Sequence, residues 1–313
     1  MHRMTTLIAA ATLAASTALA EPPPDIAAQL RALGPVVNAP ASEKIYAAVL
    51  AKQPKDGVTI RSDLAYGPAE RNVLDVYAPS ARPAAAMPVV IFFHGGGFIR
   101  GNKTDRANVG YFFARHGVLA LLANYRLGPK NTWPAGAQDV AATVRWAQAH
   151  AAEFGGDPKR IVLIGESAGA ANVALAVFDS KIRSGKKLGI SGAVLESGVY
   201  DVAPEHQAAA QFKIEQPDVR TSAYFGTDVK RYPAMSTVKL IDDLSTPTLL
   251  AYAELDPAQM QMQAGEMFAT LCAKGACPSL LRISGHGHIS QVLSYNTDDT
   301  SVSDPVLAFV LAH

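Results

Sequence analysis

Residues 89–93, Val-Val-Ile-Phe-Phe, are apolar at every position and stand between Pro88 and His94-Gly95-Gly96-Gly97. A strand with one wet face alternates apolar and polar residues; a strand apolar throughout is covered on both faces, as in a parallel sheet. Residues 161–164, Ile-Val-Leu-Ile, repeat the pattern. Around these runs the periodicity predicts strands over 58–64 and 72–77, a helix over 105–116, a strand over 118–123, helices over 135–151 and 168–178, and a strand over 193–195. A strand over 248–252, a helix over 258–272 and a strand over 279–283 follow, with a last helix over 305–311 expected to take Asp304 as N-cap and Pro305 as its first residue. Repeated strand–helix–strand units imply right-handed crossovers and one mostly parallel sheet with helices on both sides, an α/β fold over 58–313. Two segments fall outside this rhythm. Residues 21–57 carry short helix-like stretches at 25–33 and 42–52 and read as an N-terminal cap segment. Residues 201–243 are polar, weakly periodic and contain Pro204, Pro217 and Pro233. An insertion of this kind usually sits over the strand ends, where ligands bind, so it reads as a small cap.

With 49% hydrophobic against 18% charged residues in 313, the chain has the composition of a compact protein with a large core, neither disordered nor fibrous. Residues 1–20 hold one basic side chain, Arg3, then an apolar, small-residue run ending Ala18-Leu19-Ala20, the pattern of a secretory signal peptide cut after Ala20. Arg3 is one of 28 basic residues, so the remaining chain balances at 27 basic against 27 acidic side chains. That neutrality gives no footing for nucleic acid or an anionic membrane as partner, and no later apolar run is long enough to span a bilayer. The expectation is a secreted or periplasmic protein acting on a small molecule, with its oligomeric state open. Cys272 and Cys277 are too few for a cysteine-based zinc site. Cys272 closes a helix, Gly275 can turn the chain and Cys277 leads into a strand, so in an oxidising compartment a short disulfide is reasonable.

Gly165-Glu166-Ser167-Ala168-Gly169 follows the 161–164 strand directly and opens the 168–178 helix, the context of a nucleophile elbow. The turn forces the serine into a strained conformation, glycine on either side lets strand and helix approach, and the hydroxyl projects at a helix N-terminus that favours negative charge. A glycine-rich helix start with an idle serine would look the same, so the partners decide. Glycine backbones in 95–97 can aim N–H groups inward and, with Ala168, form an oxyanion hole. The serine needs a base and the base a carboxylate. Of the histidines beyond residue 20, His94 belongs to the glycine loop, His116 and His150 lie near helix ends, His206 is in the insertion and His313 is the last residue. That leaves His286 and His288 in Ser284-Gly-His-Gly-His-Ile289, with His288 preferred because apolar residues follow it. Asp256, a few residues past the 248–252 strand, is the expected acid; Asp201 is the fallback and Glu254 is expected to be solvated. The order Ser167, Asp256, His288 is that of an α/β-hydrolase. A His-x-His metal pair lacks a third ligand cluster, so neither metal nor cofactor is expected.

These residues together resemble the α/β-hydrolase esterases of the hormone-sensitive-lipase-like group and its feruloyl-esterase-like and kynurenine-formamidase-like neighbours. The resemblance rests on HGGGF at 94–98, NYRLGP at 124–129, WPAGAQDV at 133–140, GGDPKRIVLIGESAGA at 155–170, LDP at 255–257 and GHGH at 285–288. It implies Ser167, Asp256 and His288 as the triad and Gly96, Gly97 and Ala168 as oxyanion donors. The chain departs from the group at Asn124, Gly128-Pro129-Lys130, Ala170 and Gln259, none of which supplies a catalytic atom, and Asp139 suits the first turn of the 135–151 helix. The implied activity is that of a serine carboxylesterase, and Phe212, Tyr224, Phe225 and Tyr232 among polar residues of 201–243 suit a pocket lining rather than a lipid-binding lid, so short-chain or aromatic esters are the expected substrates. Its rivals are a feruloyl-type esterase or formamidase-like amidohydrolase on the same triad, and a catalytically inactive hydrolase-fold binding protein.

Overall fold

The computed structural model of the chain describes residues 21–185, 187–203 and 219–313. The expected signal peptide, Pro204, His206, Phe212 and Pro217 lie outside the described residues. Two helices, α1 (Pro24–Leu33) and α2 (Ala39–Leu50), precede strands β1 (Val58–Ala65), β2 (Val73–Pro79) and β3 (Met87–Phe93). Then come α3 (Ala107–Arg115), β4 (Leu119–Ala123), α4 (Ala135–His150), β5 (Gly156–Glu166), α5 (Ala168–Phe178), β6 (Gly192–Glu196) and α6 (Val219–Phe225). The chain continues through β7 (Thr248–Leu255), α7 (Ala258–Ala273), β8 (Ser279–Gly287), α8 (Ser290–Leu293) and α9 (Ser303–Ala312).

Among the described residues the strands form one eight-stranded sheet in the order β1-β2-β4-β3-β5-β6-β7-β8. β2 runs antiparallel to both β1 and β4, and all pairings from β4 to β8 are parallel. The unbroken apolar run in β3 has the double burial that its composition requires. Val89, Ile91 and Phe93 point into a core shared with α4, α5 and α7, while Val90 and Phe92 point into a second core shared with α3 and α9. Alternate residues thus feed opposite layers, and every position must be apolar. The parallel strands then deliver their C-terminal ends to one rim: β3 into the glycine loop, β5 into Ser167, β6 into Ser197, β7 into Asp256 and β8 into His288.

Two local expectations are corrected. α9 begins at Ser303, with Asp304 inside its first turn rather than at the cap, because the chain already turns there: the Asp304 N–H donates to the Thr300 carbonyl at 3.1 Å. Asp139, expected in the first turn of α4, lies one turn further in and pairs with Arg126, its Oδ1 2.9 Å from Nε.

Cys272, in the last turn of α7, and Cys277, just before β8, are joined in a disulfide. In the chain-entropy model so short a loop contributes about 2 kcal/mol. Reduction, or Cys277→Ser, is expected to lower the melting temperature by a few degrees, and thiol titration of the unreduced folded protein to find no reactive cysteine; two free thiols would remove the bridge.

Candidate active site

Ser167 sits between β5 and α5 with φ 53° and ψ −117°, a conformation side chains rarely adopt. The turn is held tight because α5 comes down onto β3: a Cβ on Gly169 would lie 2.1 Å from the Phe93 carbonyl oxygen. The Ser167 N–H donates to the Glu196 carbonyl on β6 at 2.8 Å, pinning the turn from the other side. Its Oγ lies 3.0 Å from His288 Nε2, and His288 Nδ1 lies 2.7 Å from Asp256 Oδ1. As an acceptor, the Asp256 carboxylate assigns the proton to Nδ1, which leaves Nε2 free to accept from the serine hydroxyl. Asp256 is itself fixed, because its Oδ2 accepts from the Ala253 amide at 2.9 Å and from the Ser197 hydroxyl at 2.5 Å. Gln291 donates from Nε2 to both Ser197 Oγ (2.8 Å) and the His288 carbonyl (2.9 Å), tying acid and base into one buried frame.

The glycine loop after β3 faces the same point. Gly96 has φ 120°, and a Cβ there would meet the Arg100 carbonyl oxygen at 2.1 Å, so no other residue fits the turn. The Gly95 amide is committed to Glu166 Oε2 at 3.2 Å. The amides of Gly96, Gly97 and Ala168 have no acceptor among the described residues, and Ala168 is the first residue of α5, where an N–H has no intrahelical partner. Behind the loop, Arg106 grips Glu166 with both arms, Nε to Oε2 at 2.8 Å and Nη2 to Oε1 at 2.9 Å. Burial alone would raise the Glu166 carboxyl; the Arg106 guanidinium outweighs it and holds that carboxyl below its ordinary range. Neither Arg106 nor Glu166, the second residue of the pentapeptide, stood out in the sequence, because their pairing joins positions sixty residues apart.

The other candidates are placed elsewhere. His286 is fully buried and bonded to Ser290 and Ser301, not to Ser167. Asp201 accepts from Ser236 Oγ at 2.8 Å and from the Ala203 amide at 3.0 Å, away from His288. Glu254, expected to be solvated, instead accepts from the Gly285 amide at 2.8 Å and pairs with Arg282 at 3.1 Å. His94 stacks on Tyr125, and burial pushes its imidazole down to about 4, so it stays neutral. A cavity of about 540 Å³ opens on Ser167. One wall is apolar, with Phe98, Val199, Val202, Phe225 and Met260; another comes from the segment joining α1 to α2 and the first turn of α2. Of the aromatics expected in the 201–243 segment, Phe225 lines this cavity, while Tyr224 stacks behind Phe98.

A serine at a strained strand-to-helix turn on a mostly parallel sheet, with an aspartate and a histidine following it in that order on the same rim, is the arrangement of an α/β-hydrolase. A model of the family described as alpha/beta hydrolase fold matches residues 90–291, and the chain belongs to that family. Esterase LipQ of Mycobacterium tuberculosis is 29% identical over 225 residues, covering 69% of this chain and 53% of that protein. Isoprenylcysteine alpha-carbonyl methylesterase ICME of Arabidopsis thaliana is 33% identical over 141 residues, covering 45% of this chain and 33% of that protein. The chain thus spans about half or less of these curated relatives. Among solved structures, a bacterial heroin esterase superposes with a TM-score of 0.69 at 26% identity, covering 93% of this chain and 96% of that one. Esterase B from Lactobacillus Rhamnosis shares the fold, with a TM-score of 0.70 at 20% identity over 92% of this chain and 94% of its own.

One buried acid close to Ser167 lies outside the hydrogen-bond path from Ser167 to His288 and Asp256. Glu196, at the end of β6, is fully buried; the Tyr295 hydroxyl donates to Oε1 at 2.7 Å, and Oε2 has no partner among the described residues. Burial pushes its carboxyl up to about 8, against the pull of the Tyr295 hydrogen bond and with Glu166 adding to the rise. The unfolded chain ionises this group near 4.5, so between 4.5 and about 8 the folded state holds a proton that the unfolded state has lost. Stability must fall as pH rises through that window, by an amount complete above the upper value. Glu196→Gln is therefore expected to gain stability over the wild type at about pH 8.5 but not at about pH 4.5; melting curves for the two proteins that stay parallel across the range would contradict it.

Proposed function

We propose that the chain is a serine carboxylesterase acting on short-chain or aromatic carboxylic esters through an acyl-enzyme. The observation that carries this reading is the bond path from Ser167 Oγ to His288 (3.0 Å) and on to Asp256 (2.7 Å), beside unspent amides at Gly96, Gly97 and Ala168. Relatives and structural neighbours described as esterases support it. Ser167 Oγ attacks the ester carbonyl carbon while its proton passes to His288 Nε2, and the carbonyl π electrons move to the oxygen, where the three amides donate. Asp256 stabilises the imidazolium that results. The tetrahedral intermediate collapses with cleavage of the ester C–O bond, and His288 returns the proton to the departing alkoxide. Water then repeats the sequence on the acyl-enzyme, releasing the acid and restoring Ser167.

Substrate size follows from the cavity. About 540 Å³ with an apolar wall of Phe98, Val199, Val202, Phe225 and Met260 suits a short or aromatic acyl group. Export is part of the same proposal, supported by the leader-like residues 1–20 and the disulfide, and N-terminal sequencing of the mature protein tests it.

Ser167→Ala is expected to lower the rate by several powers of ten with the fold intact, and His288→Ala and Asp256→Asn each to be severe. Steady-state kinetics and fluorophosphonate labelling read this, and a labelled alanine variant would overturn the assignment of the nucleophile. On a p-nitrophenyl ester series, activity is expected to decline beyond about eight acyl carbons. A rise at the emulsion threshold would mean a lipase, and faster turnover of N-formyl amides than of aryl esters would mean an amidohydrolase.

A further inference from the structure

The segment that carries His288 is anchored from a direction the triad does not explain. His286 is buried among polar partners: Nε2 lies 2.7 Å from Ser301 Oγ and 3.3 Å from Asp299 Oδ2, and Nδ1 lies 3.1 Å from Ser290 Oγ. Ser290 Oγ also accepts from the Gly287 amide at 2.9 Å, so one hydroxyl fixes both the ring of residue 286 and the backbone of residue 287. Asp299 closes the far side. Its Oδ1 accepts from the Ser301 hydroxyl at 2.6 Å and its Oδ2 from the Tyr46 hydroxyl at 2.9 Å. Burial would raise the Asp299 carboxyl, but His286, Ser301 and Tyr46 together hold it below the ordinary range, so it stays an acceptor; burial pushes the Tyr46 phenol up, so it stays a donor.

Tyr46 belongs to α2, while every other member of the network lies within residues 286–301. Its ring packs with Ile26 and Leu30 of α1 and with Ile289 and Leu293, which flank His288 on the C-terminal side. Apolar packing alone would dock the two helices. A buried polar network adds what packing does not, a single register for the backbone it bonds. That register matters because Ser167 and His288 must meet within hydrogen-bond reach, and a misplacement of about 1 Å can cost on the order of 100-fold in rate.

We propose that Asp299, held by Tyr46 and bonded to His286, is a positioning residue that sets the backbone carrying His288, so that α2 takes part in activating Ser167. The proposal rests on the serine-esterase reading of the site. It is tested in the full chain with a soluble aryl ester and with the rate of fluorophosphonate labelling, which needs His288 to take the Ser167 proton but no leaving-group binding. Tyr46→Phe removes one hydroxyl and leaves the apolar packing. It is expected to lower kcat and the labelling rate in equal proportion, by roughly tenfold, with KM within about twofold. Asp299→Asn should cost more in the same two rates, and His286→Gln, which keeps an N–H donor toward Asp299, should retain more activity than His286→Ala. Variants that lose thermal stability while kcat and labelling stay within about twofold of the wild type would reduce the network to a structural role and overturn the proposal. A wild-type chain that neither turns over esters nor labels would overturn the esterase reading and this proposal with it, whereas an active wild type with unaffected variants overturns the positioning role alone.

Discussion

The contact between α5 and the sheet is the constraint on which the site depends. Gly169 brings the helix so near β3 that a methyl group would strike the Phe93 carbonyl oxygen, and this closeness bends the chain at Ser167 into its positive-φ turn. Strain of this kind persists only where the surroundings over-determine it. Here β6 supplies a carbonyl for the Ser167 amide and the apolar flank of α5 is buried along its whole length. The same closeness puts the first amide of the helix next to the glycine loop at the end of β3. The strained turn at Ser167 and the candidate oxyanion donors are therefore consequences of one packing distance rather than separate features.

A second layer of order is electrostatic. Glu166 and Arg106 form a buried ion pair just behind the glycine loop, and the pair is fully bonded: two guanidinium contacts and one backbone amide meet the carboxylate. Removing either partner would leave a buried charge without compensation, which is far more costly than never having had the pair. By engaging the Gly95 amide, Glu166 decides which glycines of the loop remain available. On the other side Ser197 and Gln291 perform the equivalent task for Asp256 and the His288 backbone.

Much of this was legible in the sequence where the information is local. The apolar runs of β3 and β5 announce a doubly covered sheet, and Gly165-Glu166-Ser167-Ala168-Gly169 lies directly between strand and helix, so Ser167 could be singled out from a few residues. Asp256 and His288 needed one further step, that loops after parallel strands share a rim, and the structure brings both to Ser167. What stayed hidden depends on register across the sheet. Nothing near Glu166 points to Arg106, and nothing near Glu254 points to the Gly285 amide on the neighbouring strand, so an acid expected in solvent turned out to hold a loop. Asp304 and Asp139 lie deeper in their helices than expected because cap preferences describe how a helix can begin, while the preceding chain decides where it does.

Tyr46 and Asp299 stand 253 residues apart, and Gln53 and Asn296 make two more bonds between residues 53–54 and 295–296. The entropy of closing so long a span grows only with the logarithm of its length, so the clasp is tolerable at equilibrium. Kinetically it is different, because contacts of such separation form late. On the ribosome α1 and α2 emerge long before residues 289–299, so their polar partners are made late. Ile26, Leu30 and Tyr46 must wait for residues beyond 288 before their apolar face is covered. A chain broken off before residue 299 would keep Ser167, Asp256, His288 and the apolar partners Ile289 and Leu293, but Tyr46 would lose the carboxylate that its hydroxyl bonds. Residues 26–54 and 289–299 thus hold each other, and the pocket wall that the start of α2 supplies is steadied only once both segments have been made.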